Sequence, residues 1–283
     1  MSTYTSFAVV GAGDMGSRIL TALIAKGVKA VALTRAIPSP RKTFPVGAAV
    51  EEVDYTSVEN ISAALQKHQV EVVISTLTWS GFDAQTRVGD AAKAAGVKLF
   101  VPSEFGMPSK GAAEGLLGLK QAFVDHLESI RLPYTRFFVG LWASQATWLT
   151  DFVTNGKVNH VARGDSVISF TAEDDIAGIF VAHVLTSLPA AALENKDLRI
   201  QGDRITLDDL AALLKTESVQ VEVMPGPDSE LKGMLHRLFD AGLGSTGWDV
   251  EAGKELDGDQ RAGASNELWA GHQWKSVKEA LGI

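Results

Sequence analysis

Phe7-Ala-Val-Val-Gly11-Ala-Gly13-Asp14-Met15-Gly16-Ser-Arg-Ile-Leu20 puts an apolar run, the spacing G-x-G-x-x-G and the start of a helical pattern into one short stretch. Gly11 permits a tight turn, Gly13 lets the backbone approach a pyrophosphate, and Gly16 allows close contact between helix and strand. The amides at the start of the helix would then face the ligand. An ordinary glycine-rich turn can carry the same letters. What separates the two readings is context, and here the motif joins a strand to a helix in a complete β–α–β unit.

Outward from that turn the alternation continues. Apolar runs at Phe7–Val10, Val28–Leu33, Ala48–Val53, Val70–Ser75, Val97–Val101 and Tyr134–Val139 read as strands. Helical patterns at Asp14–Lys26, Ser57–His68, Ala84–Ala95 and Ala113–Arg131 lie between most of them. Gly27 and Gly96 stand where helix stops are expected. Continuous apolar strands alternating with helices predict a parallel sheet buried on both faces.

Beyond residue 140 the pattern loosens. We expect a helix near Ser144–Val153, strands at Lys157–Ala162 and Ser166–Thr171, a helix over Ala172–Leu188, and strands at Leu198–Gln201 and Val219–Val223. The Gly-, Asp- and Glu-rich tail from Gly242 to Gly263 reads as loop. The fold class is α/β: a Rossmann-type doubly wound parallel sheet (residues 1–150) with a smaller C-terminal α/β substrate part (residues 151–283), the boundary being approximate.

The end of the second strand speaks to the nucleotide. A site for NAD carries Asp or Glu there, about 20 residues after the glycines, to hold the ribose 2′-hydroxyl. No acidic residue occurs between Val28 and Val50; the segment reads Leu33-Thr34-Arg35-Ala-Ile-Pro-Ser-Pro-Arg41-Lys42. Arg35 offers a planar fork suited to a 2′-phosphate, with Arg41 or Lys42 as a second cation. The alternative is a solvated basic loop. Position and the missing carboxylate favour NADP(H).

Composition narrows the remaining classes. Lys+Arg total 26 against Asp+Glu 34, a net charge of −8, with no cysteine. An acidic chain without a long basic run lacks the footprint of a nucleic-acid or anionic-membrane binder. The absence of cysteine excludes disulfides, thiolate metal sites and cysteine nucleophiles, and fits a reducing, cytoplasmic setting. The most apolar stretch, Ile176 to Leu193, is interrupted by His183, Thr186, Ser187 and Pro189, and reads as a buried helix rather than a membrane span of about 20 apolar residues. The N-terminus does not read as a secretory signal. No metal-ligand cluster, P-loop or G-x-S-x-G motif is present, and no metal is expected. A soluble monomer or homodimer acting on a small molecule is the expectation.

Lys120 is the candidate for chemistry. Leu116, Leu119, Phe123, Leu127 and Ile130 recur at helical spacing and predict the buried stripe of their helix, with Lys120 at its margin. A partly desolvated lysine loses preference for its charged form and becomes usable as a general acid/base. A lysine snorkelling over apolar surface would carry the same pattern.

Three segments resemble a known family. Phe100-Val-Pro-Ser103-Glu104-Phe105-Gly106, Lys120 thirteen residues before Pro133, and Leu132-Pro-Tyr-Thr135 closely match the NmrA-like, isoflavone-reductase-like branch of the atypical short-chain dehydrogenases. That branch includes pinoresinol–lariciresinol and phenylcoumaran benzylic ether reductases. Val73–Leu77 and Ile168–Ile176 look similar too, so the resemblance covers about residues 5–180. It implies an NADPH fold with the turn at Gly11, Gly13, Asp14, Met15 and Gly16, and with Thr34, Arg35 and Lys42 around the 2′-phosphate. It places Ser75, Thr76, Leu77, Ser103, Glu104 and Gly140 beside the cofactor and Lys120 at the nicotinamide as catalyst. Phe105 and Trp142 lie in loops that it brings to the nicotinamide end, as substrate contacts. Trp79, in a loop after a cofactor-side strand, is a further candidate to stack on an aromatic substrate, the alternative for such loop aromatics being packing of the small domain. Two departures stand out. Ala12-Gly13 replaces the family's usual Thr-Gly pair, and the loop after Gly106 is shorter than in the plant reductases, which argues against plant lignan-type substrates. The expected function is an NADPH-dependent reductase of a small aromatic or conjugated molecule. The rival is a non-catalytic NADP(H) sensor of NmrA type, which would have no need of Lys120.

Overall fold

A computed structural model describes residues 3–35, 44–78 and 81–283, with the side chains of 177–179 left aside. In chain order the elements are β1 (Ser6–Val10), α1 (Asp14–Ala25), β2 (Lys29–Thr34), β3 (Ala49–Glu52), α2 (Val58–Lys67), β4 (Val72–Ser75), α3 (Phe82–Ala95), β5 (Leu99–Val101), α4 (Gly115–Ser129) and β6 (Thr135–Phe138). There follow β7 (Leu141–Trp142), α5 (Ala146–Leu149), α6 (Phe152–Asn155), β8 (Val158–His160), β9 (Ile168–Thr171), a π-helix (Asp174–Val181) and α7 (Ala182–Ser187). The chain ends with β10 (Lys196–Arg199), β11 (Asp203–Ile205), α8 (Leu207–Leu213), β12 (Ser218–Gln220), α9 (Ser229–Leu238), β13 (Trp248–Asp249), β14 (Lys254–Glu255) and α10 (Val277–Leu281).

Two compact units divide these elements. The first holds Met1–Glu104, Ala112–Phe137 and Ala177–Leu198; the second holds Phe105–Gly111, Phe138–Ile176 and Arg199–Ile283. The first is built on a five-stranded sheet in the order β3-β2-β1-β4-β5, parallel throughout. Phe7 sits between Ala30 and Val72, and Val73 opposite Phe100. The strands are apolar on both faces because both faces are covered: β1 and β4 are buried along their whole length. Val10, Leu33, Ile61, Leu65, Val88, Phe123 and Leu127 belong to one continuous core. Ser57 caps α2 by accepting from the Asn60 amide at 3.1 Å, and Gly96, in the left-handed region, ends α3. A parallel bridge from Phe100 to Tyr134 continues the sheet beyond β5.

The second unit is more irregular. β9 pairs with β7 in parallel and β11 in antiparallel fashion, while β8 pairs with β12. The helix expected over Ser144–Val153 is broken, because Asp151 takes φ 51° between α5 and α6. Asp151 spends that conformation on a buried ion pair with Lys232, whose ammonium also lies 5.1 Å from the centroid of the Trp148 ring. His236 is buried beside them and pushed down to about 4 by desolvation. The neutral ring accepts from the Val161 amide and donates to the Leu149 carbonyl, each at 3.2 Å. Helix Ala172–Leu188, whose sequence runs from the second unit into the first, forms as the π-helix followed by α7. In the second unit the Gly242–Gly263 tail carries the antiparallel β13/β14 hairpin instead of running wholly as loop. Among the described residues, no helix is long and apolar enough to cross a membrane.

In the first unit a buried ion pair ties β6 to β10. Arg136, 1% exposed, gives its Nε to Asp197 at 2.6 Å and its Nη1 to Gln121 at 2.9 Å. Removing one member of a buried pair leaves an uncompensated charge, which costs about 3–5 kcal/mol. Asp197→Ala should therefore lower the unfolding free energy by about that amount in urea titrations. A loss under about 1 kcal/mol would mean that the guanidinium finds another partner or water.

Candidate active site

The site follows from the strand order. The chain leaves β1 toward β2 and β3 on one side, then crosses to β4 and β5 on the other. The strand order therefore reverses between β1 and β4, and the carboxyl ends of strands at such a point are the usual ligand position in open α/β sheets. Gly11–Gly16 and Ser75–Leu77 flank that point.

The glycines divide the work there. Gly11 adopts φ +90°, closed to most side chains. A Cβ on Gly16 would lie 2.1 Å from the Gly11 carbonyl oxygen and 2.6 Å from Thr76 Oγ1, so only glycine fits. A Cβ on Gly13 would meet nothing within 4 Å, so its face is open to a ligand. No side chain caps α1, which leaves its first-turn amides to outside acceptors. Thr76 locks the turn by donating to the Gly11 carbonyl at 2.6 Å. Asp14 is exposed and tied to Arg18 at 3.0 Å, and Met15 is buried.

Arg35 and Thr34 end β2. The Thr34 side chain is buried, and its hydroxyl donates to the Arg35 carbonyl at 3.1 Å. Arg35 borders a cavity of about 460 Å³ that also holds Glu52, Asp54, Tyr55, Thr56 and Asn60. Sequence reasoning missed these residues because it searched for an acid along β2, whereas Glu52 faces Thr34 across the β2–β3 pairing. Tyr55 donates to the Leu33 carbonyl at 2.7 Å, and burial pushes its hydroxyl up to about 12, so it stays a neutral donor. Arg41 and Lys42, the companion cations, and Trp79 lie outside the described residues.

The loops after β4 and β5 are stitched together. Ser103 donates its hydroxyl to the Leu77 carbonyl at 2.8 Å and its amide to the buried Gln85 side chain at 2.9 Å. Ser75 is fully buried, and its hydroxyl has no hydrogen-bond partner among the described residues. Next to Ser103, Glu104 is buried and meets Lys120. The ammonium donates to the Glu104 carbonyl at 2.6 Å and stands 3.7 Å from its carboxylate.

The surroundings of Lys120 correct the expected stripe. Leu116 and Leu119 are exposed, at 45% and 59%, while Leu117, Phe123, Val124 and Leu127 are buried. The buried face is rotated so that Lys120 lies on it, one turn after Leu117 and one before Val124. Its side chain is 11% exposed. Burial lowers its proton affinity from the ordinary lysine range, and the charge and hydrogen bonding of Glu104 work in the opposite sense.

In the second unit, the Trp142 indole N–H donates to the Phe105 carbonyl at 3.0 Å, so these two aromatics are fixed to one another. Phe105 holds φ +28°, an uncommon setting for a residue with a side chain. Gly140 is required by packing, since a Cβ there would lie 2.2 Å from the Ser169 carbonyl oxygen.

These features define an α/β unit of the nucleotide-binding kind. The chain belongs to the NmrA-like family, whose sequence model matches residues 5–232. It is 34% identical over 145 residues to the asnovolin J 5′,6′-dehydrogenase of Aspergillus novofumigatus, covering 48% of this chain and 44% of that protein. It is 28% identical over 202 residues to pinoresinol reductase 1 of Arabidopsis thaliana, covering 61% and 62%. The chain spans about half the length of the fungal relatives it matches. Among solved structures, the leucoanthocyanidin reductase–NADPH complex from Vitis vinifera aligns with TM-score 0.79 over 98% of both chains at 20% identity. The fold is thus the Rossmann-type α/β fold of that structure.

The two open questions at the turn separate by mutation. Gly16→Ala should lower the melting temperature by several degrees, because backbone must move to admit the methyl group. Gly13→Ala should leave melting nearly unchanged while weakening any dinucleotide measured by calorimetry at least about tenfold. Equal effects on melting from both variants would contradict the division of roles.

Proposed function

We propose that the protein is an NADPH-dependent reductase of a small aromatic or conjugated molecule, with Lys120 as general acid/base. The observation that carries this reading is the buried ammonium of Lys120, held by Glu104 in the same unit and at the same sheet edge as the glycine turn. A merely snorkelling lysine would keep its head in water.

The residues present fit the cofactor. Gly13 leaves room for the pyrophosphate, the uncapped start of α1 offers amides to it, and Arg35 offers a guanidinium to the 2′-phosphate. NADPH, when bound, supplies a hydride to an electrophilic carbon of the substrate. Lys120 holds a proton on Nζ and passes it to the atom that gains negative charge. Its lowered proton affinity brings it closer to the range in which an acid works best near neutral pH. Phe105 and Trp142 form an aromatic pair within the second unit, and residues of that kind suit an apolar, aromatic substrate. The names of the relatives agree in kind: they include a dehydrogenase, pinoresinol reductases and a leucoanthocyanidin reductase.

The reading is tested by incubating the purified protein with NADPH and a panel of aromatic carbonyls and enol ethers, following absorbance of the reduced nicotinamide. Tight binding without consumption across the panel would favour a sensor. On an accepted substrate, Lys120→Ala should lower turnover by at least about a hundredfold, the lower end for general acid–base catalysis. Turnover within about threefold of wild type would end the assignment. Arg35→Ala should weaken NADPH by about ten- to a hundredfold, the equivalent of a charged hydrogen bond of about 1.5–3 kcal/mol, and leave NADH nearly unchanged. An unaltered NADPH-to-NADH affinity ratio would move the phosphate elsewhere.

A further inference from the structure

The family resemblance treats Glu104 as a neighbour of the cofactor, but its geometry connects it to the lysine. We propose that Glu104 is a positioning residue for Lys120, its backbone carbonyl aiming the ammonium and its buried carboxylate keeping that ammonium charged. This rests on the reading of Lys120 as the acid.

Three observations converge. The first is the rigidity of the Glu104 loop. β5 ends at Val101, the Glu104 amide turns back onto the Pro102 carbonyl at 2.8 Å, and the preceding Ser103 is fixed at both its amide and its hydroxyl. The carbonyl that Lys120 touches therefore has a defined direction. The second is burial. Glu104 is 3% exposed as a residue, and a carboxylate withdrawn from water needs a nearby cation or hydrogen-bond donors to remain charged. The ammonium at 3.7 Å provides that cation.

The third is the arrangement of the other charges on the elements around α4. On α3, Asp90 faces His126 at 2.8 Å, Lys93 donates to the Arg131 carbonyl at 2.8 Å, and Arg87 donates to the Asp83 carbonyl at 3.2 Å. On β6, Arg136 is held by Asp197 and Gln121. Among the described residues, Glu104 is the charged group that acts on Lys120. Desolvation alone would drive Lys120 toward a neutral amine, which cannot donate the proton. The carboxylate opposes that loss. Burial and the carboxylate therefore act on the Lys120 proton in opposite directions, the first loosening it and the second holding it.

The test reads Lys120 directly, without cofactor or substrate. Wild type and Glu104→Gln are labelled with acetic anhydride across a pH series, and acetylation of Nζ is followed by peptide mass spectrometry. Only the neutral amine reacts. Removing the carboxylate's charge should move the rise in labelling to lower pH, so that at pH 8 the rate, scaled to each protein's alkaline plateau, is at least about threefold higher in the variant. On an accepted substrate, the alkaline fall in turnover should move the same way, because the charged lysine is the donor. Superimposable labelling curves would overturn the proposal. A shifted curve in a protein that reduces nothing would support the pairing and count against the reductase reading instead. If Glu104→Gln does not fold, as judged by circular dichroism, Glu104→Asp takes its place. Drawing the charge back by one methylene should shift the curve in the same direction by less, and a coincident curve would again overturn the proposal.

Discussion

Helix α1 starts so close to the β1 turn that the carbonyl oxygen of Gly11 occupies the place of a side chain at position 16. The contact has no energy of its own to offer beyond packing, yet the site geometry depends on it. It sets the height of α1 above the sheet, and with it the direction of the uncapped amides. Thr76 braces it from β4 by donating to the same Gly11 oxygen. The ends of β1 and β4 are therefore coupled through one carbonyl group. The loop after β5 is coupled in turn, since Ser103 reaches the Leu77 carbonyl. Three strand ends become one rigid edge, on which a buried lysine can be held in a fixed direction.

The first half of the fold was legible in the sequence for a simple reason. A strand buried on both faces must be a continuous apolar run, and β1, β2 and β4 are short, uninterrupted examples bounded by glycine or polar residues. The glycine turn was legible because its constraint is local. Lys120 was found, but its helix face was misread: Leu116 and Leu119 have the letters of a core and lie in solvent. Apolar spacing does not distinguish a face that is covered from one that is not. Glu104 was recognised as part of a motif and not as a partner of Lys120, because that pairing joins a loop to a helix without periodic signal. The cavity acids Glu52 and Asp54 were invisible for a similar reason, being brought to Arg35 by the pairing of β3 with β2.

The second unit resisted sequence reading because its interior is partly polar. Lys232, on α9, and Asp151, between α5 and α6, are buried where a hydrophobic pattern would place apolar side chains, and α9 leaves Leu231 and Met234 exposed. Its helices are interrupted by a left-handed Asp151 and by a π-helical turn at Phe239–Leu243 that follows α9, neither of which has a composition signal. Buried ion pairs of this kind contribute less to stability than apolar packing of similar volume, and what they specify is a single arrangement. In this unit that arrangement includes the neutral His236, whose two ring nitrogens can satisfy two backbone groups only in one tautomer.

The chain path through the two units has a consequence for how the protein is made. The first unit is closed by residues 177–198, which arrive only after the segment Phe138–Ile176 of the second unit has been synthesised. Arg136 must wait for Asp197, 61 residues later, before its buried charge is matched. During translation the early β–α–β portion can collect its core, but β6 emerges before the strand and the carboxylate that pair with it in the folded protein. Such long-range closures slow folding and leave edges open to wrong partners. Between the synthesis of Arg136 and that of Asp197 the nascent chain therefore carries an incomplete first unit, a window set by the order of segments along the polypeptide.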